Sequence, residues 1–341
     1  MKKKLYLTVA MTSAALISYQ VILMHVLSIA QWHHFAYMII SAAMLGFGAS
    51  GTLLALFKDR KVLDEPFTVF SLLVAASAAI LVSTVAISSP FLSFDSYRAL
   101  SETEHMLRVV FSYGLFFIPV LAGALVIALL FVKHPSHTSR LYFANLLGSA
   151  AGASAPLAMI SNCAPERLIP LVSLTPLACA AVMFPKKRKK YAALILFFAA
   201  ASVFFLILRP PSLHISQYKG ISYALNQPGS EIIDCRRTIY GLLEYVKTPT
   251  SRFAPGLSLS YGGDIPRADT IFLNSEEFGP VFKDKKDYDI FDHTPKALVF
   301  KLASPQSVLV LEEGTFYSAF FAQRQNVENI IVCDPLADEI A

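Results

Sequence analysis

The chain has 341 residues and a formal net charge of +5, and it is 55% apolar with a mean hydropathy of +0.54. Only 16% of its residues are charged, whereas soluble globular domains carry about 25%. This composition excludes an ordinary soluble domain, a disordered chain and a disulfide-rich secreted module. It favours an integral membrane protein, or a membrane region joined to a soluble region.

The distribution of charge divides the chain near residue 209. Residues 1–209 hold 17 basic and 7 acidic side chains, whereas residues 210–341 hold 12 basic and 17 acidic ones. The basic residues form short clusters between apolar runs, without interleaved aromatic residues, so no nucleic-acid partner is expected. We expect a transmembrane helical domain over 1–209, a β-rich subdomain over 210–297 and an incomplete Rossmann-like βαβ unit over 298–341.

Seven apolar runs predict an α-helical multi-pass membrane bundle of about seven spans, with the lipid bilayer as its partner. A span needs about 20 apolar residues, and none of the seven runs contains Asp, Glu, Lys or Arg. The first run lacks a small-residue cleavage site and is interpreted as a retained helix. The sixth run is the weakest, because it is short and contains Pro170 and Pro176. The runs lie near 5–30, 35–57, 67–90, 109–132, 141–160, 168–184 and 191–208.

The loops between these runs alternate in positive charge. One set of loops carries 13 basic residues, five of them in Lys186–Lys190, and the other set carries Arg98, Arg108 and Arg167. Because Lys and Arg near span ends favour the cytoplasmic side, we expect a cytoplasmic amino terminus in a cell (inner) membrane protein. Seven spans would then place residues 210–341 outside, whereas a re-entrant sixth segment would return them to the cytoplasm.

Polar groups within the apolar runs are few. Gln20, His25 and Asn145 are the candidates for a small-solute carrier, which is therefore a weak hypothesis. His33 and His34 have no third ligand at a usable spacing, so no metal site is expected. Two runs carry small residues at every fourth position, which favours close helix packing over a ligand cavity. These residues are Ala42, Gly46 and Ser50 in the second run and Ala144, Gly148 and Gly152 in the fifth.

Residues 210–297 alternate short apolar runs with turn residues, which is typical of a small β-rich subdomain. Turn residues include Gln227-Pro228-Gly229 and Tyr261-Gly262-Gly263-Asp264. Strands are predicted at Ser230–Cys235, Gly241–Lys247 and Thr270–Leu273, and a helix is predicted near Pro295–Ala303.

The last segment has the order strand, turn, helix, strand. Ser307–Leu311 and Asn329–Cys333 suit buried parallel strands, and Tyr317–Gln325 suits the helix between them. Asp334 lies 20 residues after Gly314, a spacing that suits a nucleotide-binding βαβ unit whose acidic residue accepts ribose hydroxyls. Gly314 and Asp334 are therefore the candidate cofactor-binding residues.

The turn between this strand and helix is poor in glycine. It reads Glu312-Glu313-Gly314-Thr315-Phe316, whereas a nucleotide-binding turn uses two or three glycines to let the backbone approach the ligand. The two glutamates add bulk and negative charge, which would repel a phosphate and obstruct a sulfonium nucleoside. A structural βαβ unit that binds nothing is therefore an alternative prediction.

Several stretches of the chain carry a family resemblance. They are Tyr218-Lys219-Gly220 with Ala224-Leu225, Arg252–Leu259, Ser307–Ala322, Gln31–Ile40 and Leu45–Gly51. In these stretches the chain resembles the membrane-attached branch of the spermidine/spermine synthase family (polyamine aminopropyltransferases). The resemblance implies a Rossmann-like transferase domain that uses decarboxylated S-adenosylmethionine, or a ligand like S-adenosylmethionine. A polyamine amine would attack the methylene group beside the sulfonium, with an aspartate as base.

Three departures from the family pattern predict a catalytically incomplete relative. The glycine-rich turn is degenerate, the family's acidic ribose ligand falls on Val332, and the chain ends at Ala341 before any counterpart of the catalytic aspartate. We therefore expect either a fragment of a longer protein or a degraded, non-catalytic form, and we assign no catalytic residue. The main alternative is a non-enzymatic membrane scaffold whose tail binds a protein partner or self-associates through a strand edge.

The seven-span interpretation predicts that residues on the two sides of the seventh run lie on opposite sides of the membrane. Alkaline phosphatase and fluorescent-protein reporters fused after Lys190 and after Pro228 should therefore give opposite readings. A fusion near Arg98, in a loop predicted to be outside, serves as the control. Identical readings after Lys190 and Pro228 would exclude the seventh run as a span.

Overall fold

The computed structural model describes residues 2–57, 66–89, 98–184, 191–311 and 314–336. The chain divides into two compact units, Met1–His214 and Ile215–Ala341. The division lies close to the boundary predicted at 209/210. The further boundary predicted at 297/298 falls inside the second unit and stays a prediction.

The first unit consists of long apolar helices. A helix satisfies its backbone hydrogen bonds internally, as a segment surrounded by lipid must do. In the described residues the helices are α1 (Lys2–Ala30), α2 (Phe35–Leu56), α3 (Pro66–Ser88), α4 (Thr103–Lys133), α5 (Thr138–Ile160), α6 (Pro165–Val182) and α7 (Ala192–Val203). α7 continues into a π-helical turn over Phe204–Leu208. Short 3-10 turns at Arg98–Leu100 and Pro135–His137 precede α4 and α5.

Six described helices, α1 to α6, are long and apolar enough to cross a membrane by length and composition. The seventh apolar segment, Ala192–Leu208, forms a shorter helix. The six helices agree with an integral membrane protein, as the composition predicted. The predicted number of seven spans is not confirmed, and membrane crossing by the seventh run stays a prediction.

α1 and α5 pack with their backbones in contact. A Cβ atom at Gly148 or Gly152 of α5 would clash with the carbonyl oxygens of Ala10 and Ala14 on α1. Lipid provides no hydrophobic drive for helix association, so close approach through small residues is needed to gain dispersion contacts. The regularly spaced small residues of the fifth run therefore serve helix packing.

The second unit begins with α8 (Gly220–Leu225) and a four-stranded antiparallel sheet in the order β1-β2-β3-β4. The strands are β1 (Glu231–Thr238), β2 (Gly241–Lys247), β3 (Ala268–Leu273) and β4 (Glu276–Phe282). The first three correspond to the three predicted strands. β4 has no predicted counterpart, because Gly279 and Pro280 interrupt its strand pattern. Pro280 is tolerated since β4 lies at the edge of this sheet.

A strand-helix-strand segment follows the sheet. Its elements are a 3-10 helix over Lys285–His293, α9 (Lys296–Ala303), β5 (Ser307–Leu311), α10 (Tyr317–Arg324) and β6 (Asn329–Cys333). β5 and β6 pair in parallel, with Ser307 opposite Asn329 and Leu311 opposite Cys333. Phe282, Tyr288, Phe291 and Phe321 are buried together and join this segment to the sheet.

Lys219, just before α8, links this part of the chain to the turn between β3 and β4. Its side chain is buried, and its Nζ donates a hydrogen bond to the Asn274 carbonyl at 2.9 Å and pairs with Glu276 Oε1 at 2.9 Å. Burial lowers the pKa of Lys219, although the Glu276 carboxylate opposes that shift. The stretch Tyr218-Lys219-Gly220, which contributes to the family resemblance, therefore makes a structural contact in this unit.

Gly148→Val tests the backbone contact between α1 and α5. Because the added side chain would meet the Ala10 carbonyl, we expect a loss of about 3 kcal/mol of stability, seen as a lower Tm in detergent. Gly48→Val in α2 is the matched control, since a Cβ there meets nothing within 4 Å. Equal melting temperatures for the two variants would contradict the contact.

Candidate functional site

A cavity of about 580 Å³ lies in the second unit, between one face of the four-stranded sheet and the segment that joins β5 to α10. All four strands contribute side chains to it, together with the 3-10 helix and α10. The lining residues are Asp234, Arg236, Leu243, Tyr245, Ile271, Val281, Phe282, Tyr288, Thr315, Phe316 and Phe320. Small-molecule sites in proteins typically enclose about 300–1,000 Å³, so this cavity is large enough for one.

Strand alternation decides which side chains face the cavity. Leu243 and Tyr245 of β2 line it, and they lie opposite Arg236 and Asp234 of β1. Successive side chains of a strand point to opposite faces. The intervening Glu244 therefore belongs to the other face, together with buried Val246 and Phe272 and with α8.

The inner wall of the cavity is aromatic. Tyr288 lies edge-on to Phe282 with ring centroids 5.0 Å apart, and it lies 5.2 Å from Phe320 in a tilted arrangement. Burial raises the pKa of the Tyr288 hydroxyl, so this side chain stays neutral. Phe316 adopts a left-handed backbone with φ of 58°, which is unusual for a bulky residue. The wall suits a flat apolar ring.

The charged and hydroxyl groups at the sheet face are bound to protein partners. Arg236 Nε donates to Asp234 Oδ2 at 3.0 Å. The Tyr245 hydroxyl donates to Asp269 Oδ2 at 2.9 Å, and the Thr248 amide donates to Asp269 Oδ1 at 3.1 Å. Burial and the bond to the Asp269 carboxylate raise the pKa of Tyr245 to about 12. The carboxylates of Asp234 and Asp269 are therefore already engaged in hydrogen bonds with protein groups.

Thr315, unlike these polar groups, has a hydroxyl without a hydrogen-bond partner among the described residues. It is 5% exposed and lines the cavity. Its Oγ1 is buried. The side chain rests against Gly279 of β4, where a Cβ atom would meet Thr315 Oγ1 at 2.5 Å.

The two candidate cofactor-binding residues, Gly314 and Asp334, are brought together. The Gly314 amide donates to Asp334 Oδ2 at 3.1 Å, and the Leu336 amide donates to Oδ1 at 2.8 Å. Gly314 has a φ of +84°, and a Cβ there would lie 2.6 Å from the Phe278 carbonyl oxygen. Neither residue is among those that line the cavity. In this structure they close the turn after β5, and their cofactor-binding role stays a prediction. Glu312 and Glu313 lie outside the described residues.

Glu244 is a buried carboxyl group on the opposite face of the sheet. It is 5% exposed, and its Oε2 has no hydrogen-bond partner in the described part of the chain. Burial raises its pKa to about 7, and the nearby charge of Arg237 only partly offsets this. Since Glu244 points away from the cavity, it does not serve as a base there.

Two of the polar groups that suggested a carrier, Asn145 and His25, have hydrogen-bond partners within the helical bundle. Asn145 Oδ1 accepts a hydrogen bond from the Ser13 hydroxyl at 2.6 Å, between α5 and α1. His25 Nδ1 lies 3.0 Å from the Val21 carbonyl oxygen in its own helix. Within the described ranges, no three His, Cys, Asp or Glu side chains are grouped so that they could hold a metal ion.

The sheet formed by β5 and β6 exposes apolar side chains. Leu309, Leu311 and Ile331 are each more than half exposed. The predicted parallel pairing is present, but the prediction that β5 and β6 are buried is wrong, because no described element covers most of their side chains. In the described residues β5 and β6 pair with each other and with no further strand. This surface is where a protein partner or a second copy would bind if the sequence-based scaffold hypothesis holds, and that hypothesis stays a prediction.

Comparison of the chain with protein-family models, curated proteins and solved structures finds no match. The functional conclusion therefore rests on the cavity. Sequence reasoning identified the turn after β5, because glycine spacing is a local signal. It missed Tyr245, Tyr288 and Phe320, because aromatic residues also occur at ordinary core positions and so give no specific signal of a ligand site.

Asp334→Ala tests whether Asp334 closes the turn. Losing two hydrogen bonds from backbone amides to a carboxylate should destabilise the second unit by about 2–3 kcal/mol, measured as faster limited proteolysis of the full chain in detergent. Asp264→Ala removes an exposed carboxylate of the same unit and is the control. Unchanged proteolysis of the Asp334 variant would show that the turn does not depend on these bonds.

Proposed function

We propose that this protein is a membrane-embedded, spermidine-synthase-like binding protein. Its second unit binds a small molecule and does not carry out aminopropyl transfer. The observation that carries the proposal is the aromatic-lined cavity of about 580 Å³ beside Thr315 and Phe316. These residues follow the carboxyl end of β5, which is where open α/β sheets bind their ligands.

The order of elements supports the family part of the proposal. A small antiparallel sheet is followed by a strand-helix-strand segment with parallel pairing, the arrangement that the resemblance implies for a β subdomain and a Rossmann-like unit. The strained backbone of Phe316 lies at the cavity. Such strain persists where the surrounding structure imposes it, and it clusters at ligand sites.

The carboxylates support binding without transfer. Aminopropyl transfer needs a base that takes a proton from the attacking amine, and that base must reach the substrate. Asp234 is paired with Arg236, and Asp269 accepts hydrogen bonds from Tyr245 and Thr248. Among the described residues at this face, both carboxylates are therefore engaged with the protein.

The membrane helices support the membrane part of the proposal. Six described helices are long and apolar enough to span a lipid bilayer. From the distribution of basic residues between the apolar runs, we infer a cytoplasmic amino terminus in a cell (inner) membrane protein.

The test uses the full chain in lipid nanodiscs. With decarboxylated S-adenosylmethionine and spermidine or putrescine, we expect no aminopropyl product by mass spectrometry. In calorimetry we expect saturable binding of a nucleoside probe, either adenosine or decarboxylated S-adenosylmethionine.

Phe320→Ala removes part of the aromatic wall and should weaken this binding about tenfold, since base–aromatic stacking contributes about 1–3 kcal/mol. Tyr223→Ala removes an exposed aromatic side chain of α8 and is the matched control. Sustained product formation would overturn the proposed absence of transfer. Failure of both nucleosides to bind the folded protein would overturn the proposed binding.

A further inference from the structure

We propose that Glu244 controls the docking of α8 on the four-stranded sheet. While this carboxyl group is protonated, α8 is packed on the sheet, and when the group loses its proton, α8 is released. The inference concerns the face of the sheet opposite the cavity, and it does not depend on the proposed binding function. It makes α8, which begins at Gly220 shortly after the boundary between the two units, the element that responds to pH.

Strand geometry places Glu244 on the face of the sheet that α8 covers. Val246 lies two residues further along β2, and Phe272 of β3 lies opposite Glu244, so the three side chains share one face. Val246 and Phe272 form an apolar cluster with Ile221 and Ala224 of α8. The carboxyl group therefore lies at the contact between α8 and the sheet.

This carboxyl group lacks a partner that would compensate its charge. Glu244 is 5% exposed, and its Oε2 is buried without a hydrogen-bond partner in the described part of the chain. Burying an ionised carboxylate without a partner costs far more free energy than burying the neutral acid. Loss of the proton therefore favours a movement that returns the carboxylate to water, and release of α8 is such a movement.

The titratable and charged groups around Glu244 come from three elements. On β1, Cys235 lies opposite Glu244, and the charge of Arg237 acts on the carboxyl group. Glu277 of β4 lies on the same face, and Tyr223 is the exposed titratable side chain of α8. Burial raises the pKa of Glu244 to about 7, and Arg237 offsets this only in part. Because burial also raises the pKa of Glu277, that residue is the competing candidate.

The amino-terminal end of α8 is held by bonds that do not involve the buried carboxyl group. The Ile221 amide donates to the Ser275 carbonyl at 3.1 Å. Lys219, just before the helix, forms its buried ion pair with Glu276 at 2.9 Å. Both bonds reach the turn between β3 and β4. They keep this end of α8 in place while the rest of the helix leaves the sheet, so that the release is local.

The direction of the pH dependence follows from the raised pKa of Glu244. The value of about 7 in the docked state lies above that of an exposed glutamate, about 4.3. Docking is therefore strongest at low pH, weakens as the pH rises towards 7, and changes little above that. Between pH 5.5 and 8 we expect the equilibrium constant for release to rise about thirtyfold, because one proton changes it about tenfold per pH unit.

Hydrogen–deuterium exchange of the full chain in lipid nanodiscs measures this release. Protection factors, corrected for the intrinsic effect of pH on exchange, are compared for α8 and for β3. We expect the protection of α8 to fall about thirtyfold from pH 5.5 to pH 8 and the protection of β3 to be retained. Glu244→Gln, which stays neutral, should make the protection of α8 independent of pH. Glu277→Gln is the matched control and should retain the fall.

Glu244→Leu is a second variant, because leucine cannot ionise and suits an apolar contact. We expect α8 to stay protected at both pH values in this variant. The inference is overturned if the protection of α8 in the wild type does not change with pH, if Glu244→Gln retains the fall, or if Glu277→Gln abolishes it. Loss of protection in β3 together with α8 would also overturn it, since the whole sheet would then open.

Discussion

The second unit depends on the contact between Gly314 and Thr315, which follow β5, and the backbone of β4. Gly314 faces the Phe278 carbonyl and Thr315 faces Gly279, so both sides of the contact lack room for a larger residue. Asp334, just after β6, stabilises the same turn because its carboxylate accepts a hydrogen bond from the Gly314 amide. Without this contact Thr315 and Phe316 would not reach the sheet, and the cavity would lose one wall.

The electrostatics of the cavity support the proposal of binding without aminopropyl transfer. An acid–base catalyst needs a titratable group that faces the substrate and is free to exchange a proton. Here Asp234 is paired with Arg236, and Asp269 accepts a hydrogen bond from the Tyr245 hydroxyl. The carboxyl group with the raised pKa, Glu244, lies on the other face of the sheet. The charged side chains at this face are thus bound to protein partners, and most of the other lining residues are apolar or aromatic.

The first unit is held together by a different kind of contact. Because lipid is as apolar as the helices themselves, hydrophobic burial does not bring helices together, and close packing and hydroxyl pairs do. Tyr19 donates to Ser83 at 2.6 Å between α1 and α3. Ser77 donates to the Ser173 carbonyl at 2.8 Å between α3 and α6. These bonds link polar groups of different helices inside the bundle.

The sequence by itself determined the features that depend on local pattern. Apolar length predicted the helices, alternation and turn residues predicted β1, β2 and β3, and continuous apolar runs predicted β5 and β6. The spacing of Gly314 and Asp334 made them candidate cofactor-binding residues, and that role stays a prediction. Only the tertiary structure decided that these two residues hydrogen-bond to each other, that β4 completes the sheet despite Pro280, and that Thr315 lies against Gly279 of β4. Those outcomes depend on contacts between segments far apart in the chain, and no local pattern of residues encodes which distant backbone will lie against a given turn.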